Sequence, residues 1–147
     1  MGRASQEGIR QVTRTLTRRL SDDTTLLVVL IGHGTFDGID AKFNLVGPAL
    51  DASEWRSLLE PLPGRLIFAN TTSASFPFLE HLTGERRIVI TATNSPEQRY
   101  ETQFAAFFVE AFKTEASDFD KDGRVSIWEA FTRASSGVER WLSLIHI

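Results

Sequence analysis

The chain has 147 residues, 41% of them hydrophobic, the size of one ordinary domain with one core. Its 16 basic and 19 acidic residues leave a formal net charge of −3, which argues against nucleic acid as a partner, because phosphate binding needs a basic face. With no cysteine, disulfides, thiolate metal sites and a cysteine nucleophile are excluded. No stretch approaches the roughly 20 apolar residues of a membrane span. The N-terminus also lacks the basic-then-apolar layout of a secretory signal. A soluble, untargeted chain is expected.

In chain order, Ile9, Val12, Leu16 and Leu20 recur at three and four and predict an amphipathic helix over 5–20. The basic run Arg14 to Arg19 fits its wet side. The apolar run 26–31 (LLVVLI) predicts a strand buried on both faces, ended by Gly32-His33-Gly34. A loop is expected from Phe36 to Gly47-Pro48. Asp51 with Glu54 resembles a capping box opening a helix over 52–60. A second strand, 65–69, runs into Asn70-Thr71-Thr72-Ser73-Ala74-Ser75, and a short helix covers 76–82. A third strand spans 87–92, followed by the Asn94-Ser95-Pro96 turn and a long apolar helix over 100–116. After an acidic loop, a last helix runs from Ile127 to about Trp141.

Buried strands alternating with helices predict a mainly parallel sheet flanked by helices, with functional groups gathered at the carboxyl ends of the strands. Those ends carry GHG, NTTSAS and TATNSPE, which should open on one rim. There His33 is a candidate general base, Gly34 a candidate oxyanion donor and Ser73 a candidate nucleophile. Strand ends also carry Ser, Thr and Gly simply because turns need them. Asp37 and Asn70 are candidate orienters of the imidazole. His81 reads as a surface residue and Phe104, Phe107, Phe108 and Phe112 as core. Trp55, Trp128 and Trp141 sit on amphipathic helices without a cage-like grouping.

Residues 118–129 follow the pattern of an EF-hand-type calcium loop. Asp118, Asp120 and Asp122 stand at positions 1, 3 and 5, and Gly123 at the bend. Arg124 offers its carbonyl at position 7, Ser126 a hydroxyl or a water at 9, and Glu129 a bidentate carboxylate at 12. Val125 at position 8 should face inward. Because calcium is a hard ion taking about seven oxygens, this order wraps ligands around one point. A lone loop reads as a staple between two helices, whereas a sensor needs a paired loop. A merely acidic turn without metal is the other reading.

The layout resembles the caspase-like fold, and within it the legumain-type (C13) cysteine peptidases. Leu27 to Gly34 (LVVLIGHG) is similar to the strand whose terminal His-Gly supplies the family's base. Leu66 to Ser75 (LIFANTTSAS) is similar to the strand that ends in the Ala-Cys-Glu-Ser-Gly-like stretch. Ser73 falls on the cysteine position, or Thr72 if the alignment shifts by one, and Ser75 falls on the family's serine. Thr91 to Asn94 resembles the strand bordering the specificity pocket. The resemblance implies a three-layer, Rossmann-like α/β domain over 1–141, shortened at its N-terminus, with a C-terminal helix–loop–helix. Replacement of the family's cysteine, and Phe76 where a glycine belongs, imply a domain without catalysis that meets a peptide or protein partner. A hydrolase using Ser73 with His33 is the alternative. The last six residues, 142–147 (LSLIHI), resemble a translated sequencing adapter, which would make them a non-native tail and remove His146 from the candidate ligands. An apolar segment docking on the core is the other reading of that tail.

Overall fold

The computed structural model describes residues 4–95, 97 and 102–145. They divide into two compact units, Met1–Glu101 and Thr102–Ile147. Pro96, the start of the predicted 100–116 helix and His146 lie outside the described residues.

The first unit opens with α1 (Gln6–Arg19), which Ser5 caps by accepting a hydrogen bond from the Gly8 N–H at 3.2 Å. Glu7 in its first turn and Arg18 and Arg19 in its last suit the helix dipole. A three-stranded parallel sheet follows, in the order β1 (Thr25–Leu30), β5 (Arg65–Asn70), β6 (Arg87–Thr91). Between β1 and β5 the chain builds a small antiparallel sheet from β2 (Gly34–Phe36), β3 (Ala41–Phe43) and β4 (Leu50–Asp51). This sheet replaces much of the loop expected over 36–48. Helix α2 (Ala52–Leu59) opens on the expected capping box: the Glu54 N–H donates to Asp51 Oδ1 at 2.8 Å, and the Asp51 N–H to Glu54 Oε2 at 3.1 Å. Helix α3 spans Phe76–Leu82, as expected.

The core lies on one face of the parallel sheet. Phe68 of β5 is fully buried, with Trp55 of α2 edge-on at 5.6 Å and Phe78 of α3 stacked at 6.1 Å. Each such ring contributes roughly 1.5–3 kcal/mol by leaving water. On the opposite face Leu27 and Ile88 are each nearly half exposed. The expected two-sided burial of β1 is therefore corrected. It is an edge strand of a three-stranded sheet, and its side chains alternate between the core and the outer face.

The second unit contains α4 (Phe104–Ala111), a 3₁₀ turn (Glu115–Ser117) and α5 (Ile127–Ile145). Helix α4 is shorter than the expected 100–116. Its end tightens into i→i+3 bonds, from the Lys113 N–H to the Glu110 carbonyl at 3.0 Å and from Thr114 to Ala111 at 3.4 Å. The two helices cross closely at Gly137, where a Cβ would lie 2.6 Å from the Phe107 ring. Helix α5 begins at Ile127, as expected, and continues four residues past Trp141. Trp128 is 70% exposed. Among the described residues no helix is long and apolar enough to cross a membrane.

Candidate functional site

In the first unit the GHG and NTTSAS strand ends do meet. The Asn44 N–H donates to the His33 carbonyl at 2.9 Å and the Asp37 N–H to that of Asp40 at 3.3 Å, which fixes the bonded pairs of the β2–β3 ladder. Gly34, opposite Phe43, falls on a non-bonded pair, so its carbonyl points away from β3. That carbonyl accepts the Ser73 hydroxyl at 2.9 Å. The approach is close: a Cβ on Gly34 would sit 2.1 Å from the Ser73 carbonyl oxygen and 2.5 Å from Thr72 Oγ1.

This arrangement is a packed joint. Ser73 is 6% exposed and donates its one hydroxyl proton to a backbone carbonyl rather than to the imidazole. His33 is exposed, and its ring makes no hydrogen bond among the described residues. Thr72 folds back on Asn70, its N–H and hydroxyl donating to Asn70 Oδ1 at 3.1 and 2.8 Å. Asn70 is fully buried, and among the described residues its Nδ2 has no partner. Ser75, fully buried, accepts the N–H groups of Ala92 and Thr93 at 3.0 and 3.2 Å and ties the end of β5 to the end of β6. The Phe76 N–H donates to Thr93 Oγ1 at 3.0 Å. Asp37, the other candidate orienter, closes the β2–β3 hairpin instead. The Lys42 ammonium at 2.6 Å, with the N–H groups of Asp40 and Ile39, holds its carboxyl well below the usual range. Gly38, with φ +105° at the first central position of the two-residue turn between Asp37 and Asp40, was the available sign of this hairpin.

In the second unit the acidic loop draws its carboxylates inward. One oxygen each from Asp118, Asp120 and Glu129 lies within 4.8 Å of the others. Glu129 is 5% exposed and takes four donors: Phe119 N–H at 2.6 Å, Ser126 Oγ at 2.7 Å, Ser126 N–H at 2.8 Å and Asp120 N–H at 3.3 Å. Led by the Ser126 hydroxyl, these bonds pull its carboxyl down to about 2. Asp120 moves the other way. The Asp122 N–H favours its anion, but burial and repulsion from Asp122 and Glu129 outweigh that and raise it. Asp118 receives the N–H groups of Asp122 at 3.1 Å and Gly123 at 2.9 Å, and Gly123 takes φ +85° at the bend. Asp122 turns its own carboxylate to the Arg124 N–H at 2.8 Å and stands outside the converging trio. Ser126 is exposed and Val125 half-buried. Comparison with protein-family models, curated proteins and solved structures returned no match.

Proposed function

We propose that residues 118–129 are an EF-hand-type calcium loop, and that the chain is a calcium-stapled, non-catalytic caspase-like module serving a peptide or protein partner. The observation that carries this reading is the convergence of Asp118, Asp120 and Glu129. Three hard oxygen donors with like charge suit a divalent cation that prefers oxygen. Asp122, the Arg124 carbonyl and Ser126 would complete the set. Calcium there would neutralise the mutual repulsion of the carboxylates. The protein's own contribution is to hold Glu129 in place from both sides of the loop through Phe119 and Ser126. A loop lying between the 3₁₀ turn and α5 is placed to fasten the two helices of its unit. Calcium titrated into the full chain should raise Tm by several degrees, with magnesium doing less and a chelator reversing it. An unmoved Tm removes the staple. A calcium-dependent doubling of mass would favour a sensor working through a paired loop.

The hydrolase reading has one observation in its favour, the meeting of Gly34 with Ser73. Against it, the Ser73 hydroxyl is committed to a carbonyl and buried. A serine without a base on its proton is a weak nucleophile. A fluorophosphonate probe should leave the intact mass of the calcium-loaded protein unchanged. An adduct lost in Ser73→Ala would restore the hydrolase.

A further inference from the structure

Strand β1 forms one edge of the parallel sheet, and its outer side is bare. The Arg65 N–H donates to the Thr24 carbonyl at 2.8 Å and the Thr71 N–H to that of Leu30 at 3.1 Å, which fixes the phase of the β1–β5 ladder. Alternate residues of a strand address opposite neighbours, so Leu26, Val28 and Leu30 turn their backbone groups to β5. Thr25, Leu27, Val29 and Ile31 turn theirs the other way, and among the described residues those N–H and carbonyl groups have no partner. Folded chains guard such an edge with a charge, a proline or a bulge. Residues 24–32 (TTLLVVLIG) hold no charge and no proline, and the register with β5 runs unbroken from Thr25 to Leu30. Leu27 and Ile31 stand exposed along this edge. Leu26 and Val28, on the core side, are only half-buried and line a hollow of about 420 Å³ beneath α1.

The bare groups also select a partner. Two copies of β1 related by a two-fold axis run antiparallel, and only the odd-numbered residues can then exchange hydrogen bonds. The register centred on Val28 is the one that uses all of them. Thr25 exchanges bonds with the partner's Ile31, and Leu27 with the partner's Val29. On the core side Val28 meets its own symmetry mate, and Leu26 meets the partner's Leu30. These cross-strand neighbours are apolar, the pairing that stabilises a sheet. At the ends, the acidic turn of Asp22 and Asp23 comes to the partner's Gly32 and His33, so unlike rather than like groups meet.

We infer that this chain forms a two-fold dimer through β1, which joins its three-stranded parallel sheet to that of a second copy as one continuous sheet. The interface lies wholly within the first unit and needs no calcium, so it stands apart from the reading of the loop.

The test is sedimentation equilibrium of the full chain, in calcium and in chelator. In both, the mass should rise with concentration to twice the 16.5 kDa of one chain. Leu27→Lys, at an exposed side chain, and Val29→Pro, which removes an N–H that bonds nothing among the described residues, should each weaken the dimer at least about tenfold. Val28→Cys tests the register and does not depend on those variants folding. The chain has no cysteine, and directly opposed non-bonded residues, with Cα atoms about 4.5 Å apart, suit a disulfide. Oxidation should link the Val28→Cys protein into covalent dimers. It should leave Leu26→Cys unlinked, because the two copies of that position lie about 13 Å apart along the strands. A monomer at every concentration overturns the proposal and leaves the edge to a strand of another protein. A doubling that needs calcium, that ignores both β1 changes, or that links Leu26→Cys as readily as Val28→Cys overturns it too.

Discussion

Glu129→Gln is expected to abolish most of the calcium-induced rise in Tm and also to lower Tm in chelator. Calcium at a hundredfold excess over Kd would stabilise the folded chain by about 2.7 kcal/mol. That gain needs a carboxylate at position 12, which an amide cannot supply. The ion-free loss has a separate cause. Glu129 accepts from Phe119 and Asp120 through one oxygen and from Ser126 through the other. A glutamine turns one of those oxygens into a donor, leaving the buried side-chain amide facing backbone N–H groups. Unsatisfied buried donors cost roughly 1–3 kcal/mol.

The pH dependence provides a second signature. Glu129 has its folded value depressed to about 2, so its contribution is fully present above the ordinary carboxylate range and is lost as pH falls toward 2. Asp120 is raised, so its anion costs stability at neutral pH, and that cost is relieved on protonation or when a cation arrives. In the absence of calcium, melts between pH 7 and pH 3 should fall less steeply for Glu129→Gln than for the parent. Identical slopes, with an unaltered calcium response, would mean that Glu129 does not organise the loop.

The convergence of Asp118, Asp120 and Glu129 was legible because they lie within 12 positions of one another, where local order limits what can meet. The helices with caps were legible for the same reason, α2 through Asp51 and Glu54 above all. The rim was legible only as a meeting place. That the Ser73 hydroxyl goes to the carbonyl of Gly34, 39 residues away, depends on where β2 is held by β3, and no residue type announces a backbone acceptor. The antiparallel sheet itself was missed because its strands run for two or three residues, too short for alternation to register, although Gly38 marked the turn. β1 misled in the other direction. A run of Leu, Val and Ile promises two buried faces, but burial depends on what covers the sheet, and Leu27 and Ile31 remain 45% and 58% exposed.

The joint between Gly34 and Ser73 makes an ordering prediction that separates packing from catalysis. Gly34→Ala places a methyl group 2.1 Å from the Ser73 carbonyl oxygen, and no flexible side chain can yield to accommodate it. The strand ends must part, losing the Ser73 bond and disturbing the Thr72–Asn70 bonds that stiffen the turn. Overpacking of this kind costs typically 1–3 kcal/mol and occasionally more. Ser73→Ala deletes one hydrogen bond and leaves a carbonyl behind, a loss of about 0.5–1.5 kcal/mol. His33→Ala, at an exposed ring without a hydrogen-bond partner among the described residues, should be nearly silent. Urea melts of the three variants should therefore rank Gly34→Ala well below Ser73→Ala, with His33→Ala near the parent. If Gly34→Ala melted with the parent, the two strand ends would not be in contact. If His33→Ala were the damaging change, the imidazole would have a partner in the rim, and the case for an activated Ser73 would reopen.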